Sequence, residues 1–166
     1  MDIVLVQPEI APNTGAIIRL AANIGANVHL VEPLGFELDD RSYARGGLDY
    51  HELTTVTVHA DLDTATEALP GPWWGFTSHA ATRYTDAPLD LDDVFVFGTE
   101  STGLTDAAEA RIGPDRLLGI PMRAGSRSLN LANAVSVVAY EVWRRNDFVG
   151  ASMHGTMAER LTEPPF

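Results

Sequence analysis

The chain contains no cysteine and no lysine. The first absence excludes disulfides, thiolate nucleophiles and cysteine-based zinc sites, and it fits a reducing compartment. The second excludes a Walker A phosphate loop. It also leaves all 11 basic residues as arginine against 23 acidic ones, a formal net charge of −12. Bulk attraction to nucleic acid is therefore weak, and phosphate binding has to come from local arginine clusters. Such clusters occur in sequence at Arg41 and Arg45, at Arg123 and Arg127, and at Arg144 and Arg145. No stretch approaches the roughly 18 apolar residues of a membrane span, and the opening Met1-Asp2 lacks the basic start of a signal peptide. A soluble, cytoplasmic protein with no membrane partner is expected. The first polar loop, QPEIAPNTG, has no G-x-G-x-x-G fingerprint, and no G-x-S-x-G elbow occurs. His29, His51, His59, His79 and His154 show no ligand spacing, so no metal is expected.

What is present suffices for one buried core: 166 residues, 45% of them hydrophobic. A single domain is expected over residues 1–150, followed by a tail at 151–166 without periodicity that is expected to be mobile. Residues 3–6 predict a buried strand, 17–24 an apolar helical stripe closed by Gly25, and 28–31 the next strand. Strand, helix, strand at the start of a chain argues for an α/β fold with a parallel sheet. Further strands are predicted at 54–58, 73–77, 94–97 and 117–120. Short helices are predicted at 39–45 and 62–69, and the last helix at 131–144. The polar loops fall at strand ends, where open parallel sheets bind ligands.

Residues 120–133, IPMRAGSRSLNLAN, carry Arg123, Ser126, Arg127, Ser128, Asn130 and Asn133 into the start of the last helix. Turn formation alone does not require two guanidiniums, two hydroxyls and two amides, whereas a helix amino terminus offers free N–H groups to an anion or carboxylate. Ser128 and Asn130 are both suitable helix caps. Two further loops follow strands: 8–19, with Asn13 and Arg19, and 98–103, GTESTG, whose Gly98 and Gly103 allow backbone to approach a ligand closely.

Asn13 with Arg19, then G-x-E-x-x-G, then S-L-N at the last helix resemble the three motifs of the SPOUT-class RNA 2′-O-ribose methyltransferases. The segments QPEIAPNTGAIIRLAAN, GLDYHE and SRSLNLANAVSVVAYEVWR are similar to the TrmL-like branch of that class. The resemblance extends from about residue 3 to about residue 145. It implies a parallel-sheet SPOUT fold with a deep trefoil knot in its C-terminal part, a homodimer with sites at the subunit interface, and S-adenosylmethionine as methyl donor. It further implies methylation of the ribose 2′-hydroxyl of the tRNA wobble nucleotide, position 34, a cytidine or a modified uridine. Alternatives are the same reaction on another tRNA or ribosomal RNA nucleotide, and a nucleotide-binding module without catalysis.

By this resemblance the catalytic set is Arg19, Asn13, Glu100, Ser128 and Asn130. The donor pocket is Phe76, Thr77, Gly98, Glu100, Gly103, Ile120, Met122, Ser128 and Asn133. Arg123 and Arg127 are candidates for tRNA backbone contacts, with Arg41, Arg45, Tyr50 and His51 as a second RNA surface. Arg19 matches the residue sometimes assigned as general base. Guanidiniums are protonated at any ordinary pH, so gripping a phosphate and stabilising the developing alkoxide is the more physical role. Asn13 either orients Arg19 or caps its helix, with Thr14 a rival cap. Glu100 holds either an arginine or loop backbone.

Overall fold

A computed structural model describes residues 1–37 and 54–152. The expected helix at 39–45, the GLDYHE segment, Arg41, Arg45, Tyr50, His51 and the expected tail from 153 onward lie outside the described residues.

The first strand, β1 (Asp2–Val6), feeds helix α1 (Ala11–Ile24), which returns the chain to β2 (Asn27–Val31) alongside β1 in parallel register. Pro12 sits in the first turn of α1, where its missing N–H costs nothing. Gly25 ends the helix at φ 72°, a left-handed conformation that suits glycine. Then follow β3 (Val56–His59), α2 (Leu62–Ala68), β4 (Trp73–Phe76), β5 (Thr82–Arg83), β6 (Val94–Phe97), α3 (Asp106–Ile112), β7 (Leu117–Gly119) and α4 (Leu131–Arg145). Two single 3-10 turns, Tyr84–Asp86 and Pro114–Arg116, complete the order. The sheet runs β3-β2-β1-β6-β4-β7-β5, and all its described pairings are parallel.

The near-continuous apolar strands follow from this arrangement, since a parallel sheet covered on both faces buries alternate residues on opposite sides. Ile3, Leu5, Val28, Leu30, Phe95 and Phe97 face α1 and α4, where Ile17, Ala21, Val135, Val138 and Val142 close the core. Val4, Val6, Val94 and Val96 face α2 and α3, where Ala65, Ala108 and Ile112 close it. Sheet order reverses between β1 and β6. Their following loops therefore part there, one into α1 and one toward α3, and leave a crevice at the strands' carboxyl ends.

Two elements depart from the sequence reading. Helix α3 is not expected from the pattern because its seven residues bury only Ala108 and Ile112; Thr105 starts it by accepting from the Ala108 N–H at 3.2 Å. Strand β5 has two exposed residues and is not among the strands expected from the pattern. It pairs with β7 rather than with a sequence neighbour. No helix among the described residues is long and apolar enough to cross a membrane.

At the opposite end of β1, half-buried Asp2 and buried His29 and His59 form a chain across β1, β2 and β3. His29 Nε2 lies 3.3 Å from Asp2 Oδ1, and His29 Nδ1 lies 3.0 Å from His59 Nε2. All contacts are satisfied with both rings neutral, His59 donating to His29 and His29 to Asp2. The His29 hydrogen bond holds the Asp2 carboxyl below its usual value, and burial holds the His59 imidazole below its own. A depressed histidine leaves the unfolded chain binding more protons than the native one below the ordinary value of 6.5. The stability due to His59 is thus complete above that pH and lost as pH falls through the depressed value. The Asp2 contribution persists down to its ordinary 3.8 and is lost below it. The melting temperature should accordingly begin to fall below about pH 6.5, and His59→Gln should remove that first decline while sparing the one below pH 4. A wild-type profile flat from pH 7 to pH 5 would refute this.

Candidate functional site

The loops that follow β1, β6 and β7 meet through side chains far apart in sequence. The Glu100 carboxylate accepts from the Glu9 N–H at 2.7 Å, the Ile10 N–H at 3.2 Å and Asn13 Nδ2 at 3.0 Å. Asn13 Oδ1 in turn accepts from Asn130 Nδ2 at 3.0 Å. Asn130 Oδ1 caps α4, accepting from the Ala132 and Asn133 N–H groups at 3.0 and 3.3 Å. One acid and two amides thus tie three loops together. Of the alternatives left open by the sequence, Asn130 rather than Ser128 caps the last helix. Glu100 holds loop backbone, and Asn13 bonds Glu100 and Asn130 instead of capping α1. Thr14 does not cap α1 either; it is buried in the helix.

A second contact runs the other way. Glu9 Oε2 accepts from the Ser101 N–H at 3.0 Å and Glu9 Oε1 from Ser101 Oγ at 2.8 Å. The 98–103 loop is itself narrow: Thr99 and Gly103 exchange two backbone hydrogen bonds of 3.0 Å. Thr102 N–H donates to Thr99 Oγ1 at 3.1 Å.

Beside this junction lies a cavity of about 460 Å³ at the carboxyl ends of β4, β6 and β7. That is within the ordinary range for a small-molecule site. Phe76, Thr77, Gly98, Glu100, Gly103, Ile120, Met122 and Ser128 line it, and Asn133 does not. Asn133 is exposed on the first turn of α4, where its N–H serves the cap. The sequence reading missed His79, Ser101, Asp106 and Glu109 of the lining, as it missed Glu9 behind the rim. The only available signal for Glu9 was its place beside Asn13 in a polar loop. Apolar Phe97, Leu104 and Leu131 provide flat surface next to exposed backbone, and Glu100, Asp106 and Glu109 bring negative charge. Such a lining suits a cationic ligand with an aromatic base.

Arg19 is exposed on α1 and is not among the cavity's lining residues. Arg123 and Arg127 are exposed on the 120–130 loop. Arg144 and Arg145 are a different case. Both donate to Glu141, whose carboxyl they hold down to about 2, and Arg145 also donates to the carbonyl of Ala87 at 2.6 Å. That pair is engaged within the fold. Among the described residues no group of three or more His, Asp or Glu side chains is placed to hold a metal ion.

A profile of the SpoU rRNA Methylase family matches residues 1–140. A tRNA (cytidine(34)-2'-O)-methyltransferase of Burkholderia pseudomallei (strain 1106a) is 49% identical over 154 residues, covering 91% of this chain and 99% of that protein. A solved structure described as giving structural insights into the 2-OH methylation of C/U34 on tRNA superposes with a TM-score of 0.82 at 38% identity, covering 89% of this chain and 96% of the other. AviRb from Streptomyces viridochromogenes, a SpoU methyltransferase solved in complex with the cofactor AdoMet, shares the fold with a TM-score of 0.78 at 22% identity, covering 91% of this chain and 59% of the other.

Proposed function

The chain belongs to the SpoU rRNA Methylase family, and from that premise we infer that it transfers a methyl group from S-adenosylmethionine to the ribose 2′-hydroxyl of the tRNA wobble nucleotide, position 34. The observation that carries the assignment is the 49% identity spanning 99% of a tRNA (cytidine(34)-2'-O)-methyltransferase. The cavity fits the donor in size and sign: Gly103 presents bare backbone with no heavy atom near the place of a Cβ, and Glu100, Asp106 and Glu109 in the lining bring negative charge that suits a cationic sulfonium.

When bound, the donor supplies the activated methyl. The protein has to place the ribose oxygen in line and stabilise the charge that grows on it. Phe76, Thr77, Gly98, Gly103, Ile120, Met122 and Ser128 form the donor's walls in this reading. Glu100, Asn13 and Asn130 fix the relative position of the three loops, and Arg19 faces the RNA. Because Arg19 does not line its own chain's cavity, it serves the cavity of a second subunit, which makes the working enzyme a homodimer. Arg123 and Arg127 contact the tRNA backbone, with Arg41, Arg45, Tyr50 and His51 as further candidates for RNA contact. The domain is a single one over residues 1–150, and the protein works in the cytoplasm, with its tRNA substrate.

The sheet order supports a trefoil knot. β7 lies between β4 and β5, although the chain makes both of those strands first. Residues 77–81, which join β4 to β5, therefore bridge over β7. At Gly119 a Cβ would come within 3.3 Å of the Ala80 carbonyl oxygen, so this bridge lies close on the strand that leads beneath it. Arg145, bonded to the Ala87 carbonyl, then ties α4 to the chain that follows β5.

Labelled methyl transfer from the donor to total tRNA, followed by nucleoside analysis, tests the reading. Label in 2′-O-methylcytidine or its uridine counterpart at position 34 is expected. Label at another ribose would reassign the substrate, and donor binding without any incorporation would leave a non-catalytic module.

A further inference from the structure

We propose that Glu9 is a positioning residue for donor binding: it holds the cavity rim from outside through a reciprocal pair of backbone-to-carboxylate bonds with Glu100 and Ser101. The proposal rests on the donor reading of the cavity given above.

Glu9 and Glu100 stand on different loops, and each loop's carboxylate accepts a backbone N–H of the other. Glu9 N–H donates to Glu100 at 2.7 Å, and Ser101 N–H donates to Glu9 at 3.0 Å. The Ser101 hydroxyl adds a third bond at 2.8 Å. Two carboxylates this close repel one another, so their pairing persists only because each satisfies N–H groups that the loops themselves leave unpaired. The logic is that of a capping box, formed here between two loops instead of within one helix.

Glu9 is also well anchored. Its Cα lies 2.7 Å and its carbonyl oxygen 2.8 Å from where a Cβ on Gly35 would stand. Only glycine at 35 lets the chain after β2 press so closely on Glu9, and Gly35 N–H donates to the Pro8 carbonyl at 2.9 Å. Glu9 is therefore fixed from behind by the β2 side of the sheet, and its side chain reaches forward to the tip of the 98–103 loop. The base of that loop is closed by the Thr99 and Gly103 bonds, but its tip, Glu100 and Ser101, is held by Glu9, Ile10 and Asn13. Ser101 and Glu100 both line the cavity. Glu9 is not among the residues that line the cavity; it acts through Ser101, which is.

The test is donor affinity by calorimetry beside steady-state kinetics. Glu9→Ala should raise the donor Kd and KM by about tenfold, the scale of lost hydrogen bonds to a charged group, and leave kcat at saturating donor within about threefold. Glu9→Gln should stay near wild type, because its amide oxygen accepts from the Ser101 N–H while its NH₂ donates to Ser101 Oγ. Ser101→Ala removes one of the bonds and should raise the donor Kd by a few-fold on its own, yet add little to Glu9→Ala. A donor Kd unchanged in Glu9→Ala, or additive effects of the two substitutions, would overturn the proposal even if melting temperature fell. Should Glu9→Ala not fold, an unchanged Kd in Ser101→Ala overturns it equally. Failure of the wild-type protein to bind S-adenosylmethionine would sink the donor reading of the cavity instead.

Discussion

Arg19→Ala is expected to lower methyl transfer by about 10²- to 10³-fold, the loss seen when one preorganised donor to a developing oxyanion is removed, while donor binding by calorimetry stays within about twofold. The separation follows from placement. Arg19 is exposed on α1, outside the lining of the donor cavity, so its removal leaves the donor's walls intact. In the proposed reaction it removes the cation assigned to the ribose oxygen as that oxygen loses its proton. Arg19→Lys should recover little, because an ammonium cannot reproduce the planar fork that grips a phosphate at two points. The same variant distinguishes catalysis within a subunit from catalysis across two. Arg19→Ala and Glu100→Ala subunits, co-expressed with different tags and isolated as mixed dimers, should regain activity if the arginine of one subunit serves the cavity of the other. Each mixed dimer then holds one site with both parts intact, about half the wild-type complement. Mixed dimers as inactive as either parent would place Arg19 in its own subunit's reaction. Turnover unchanged in Arg19→Ala would remove it from the mechanism.

The parts of this architecture that were legible in the sequence are those governed by local pattern. β1, α1 and β2 announce themselves by a buried run, an apolar stripe ending at Gly25, and a second buried run, and all three stand where the pattern puts them. The lining at Phe76, Gly98 and Ile120 was legible for a related reason: each follows or ends a strand, and parallel strands deliver their carboxyl ends to one edge. Asn133 fails the same logic because it is exposed on α4, and it is Leu131 and Ala134 of that helix that line the cavity. What was hidden depends on contacts between distant residues. Asn13 and Asn130 are 117 residues apart and Glu9 and Ser101 are 92 apart, and no periodicity links them. β5 is two exposed residues that become a strand only because β7 arrives beside it. The roles of Arg144 and Arg145 were missed for a different reason, since their carboxylate partner is local. Paired cations read as a nucleic-acid patch until Glu141, three and four residues earlier on one helix face, is seen to take both.

Gly98→Ala should cost about 3 kcal/mol of stability or more, at or beyond the upper end for inserting a methyl group into a packed site. A Cβ at residue 98 would lie 2.0 Å from the Gly103 carbonyl carbon, 2.1 Å from its oxygen and 2.2 Å from the Leu104 nitrogen. These are backbone atoms, so no rotamer change relieves the overlap. The 98–103 loop has to open, breaking the paired Thr99 and Gly103 bonds that set its width. For a chain of this length that loss corresponds to a fall in melting temperature of about 6–12 °C, and donor binding should become undetectable because both sides of the loop face the cavity. Gly103→Ala provides the contrast. Its Cβ would meet no heavy atom within 4 Å, but its φ of 78° is one that side-chain-bearing residues rarely adopt. It should cost only about 1–2 kcal/mol, the strain of a left-handed residue, and leave the loop closed. Scanning calorimetry with and without donor separates the two variants: Gly98→Ala should melt early and gain nothing from the donor, whereas Gly103→Ala should melt slightly early and keep some of the donor's stabilisation. If Gly98→Ala melted within about 2 °C of wild type, corresponding to less than about 1 kcal/mol, the close approach of residues 98 and 103 would not be the feature that shapes the site.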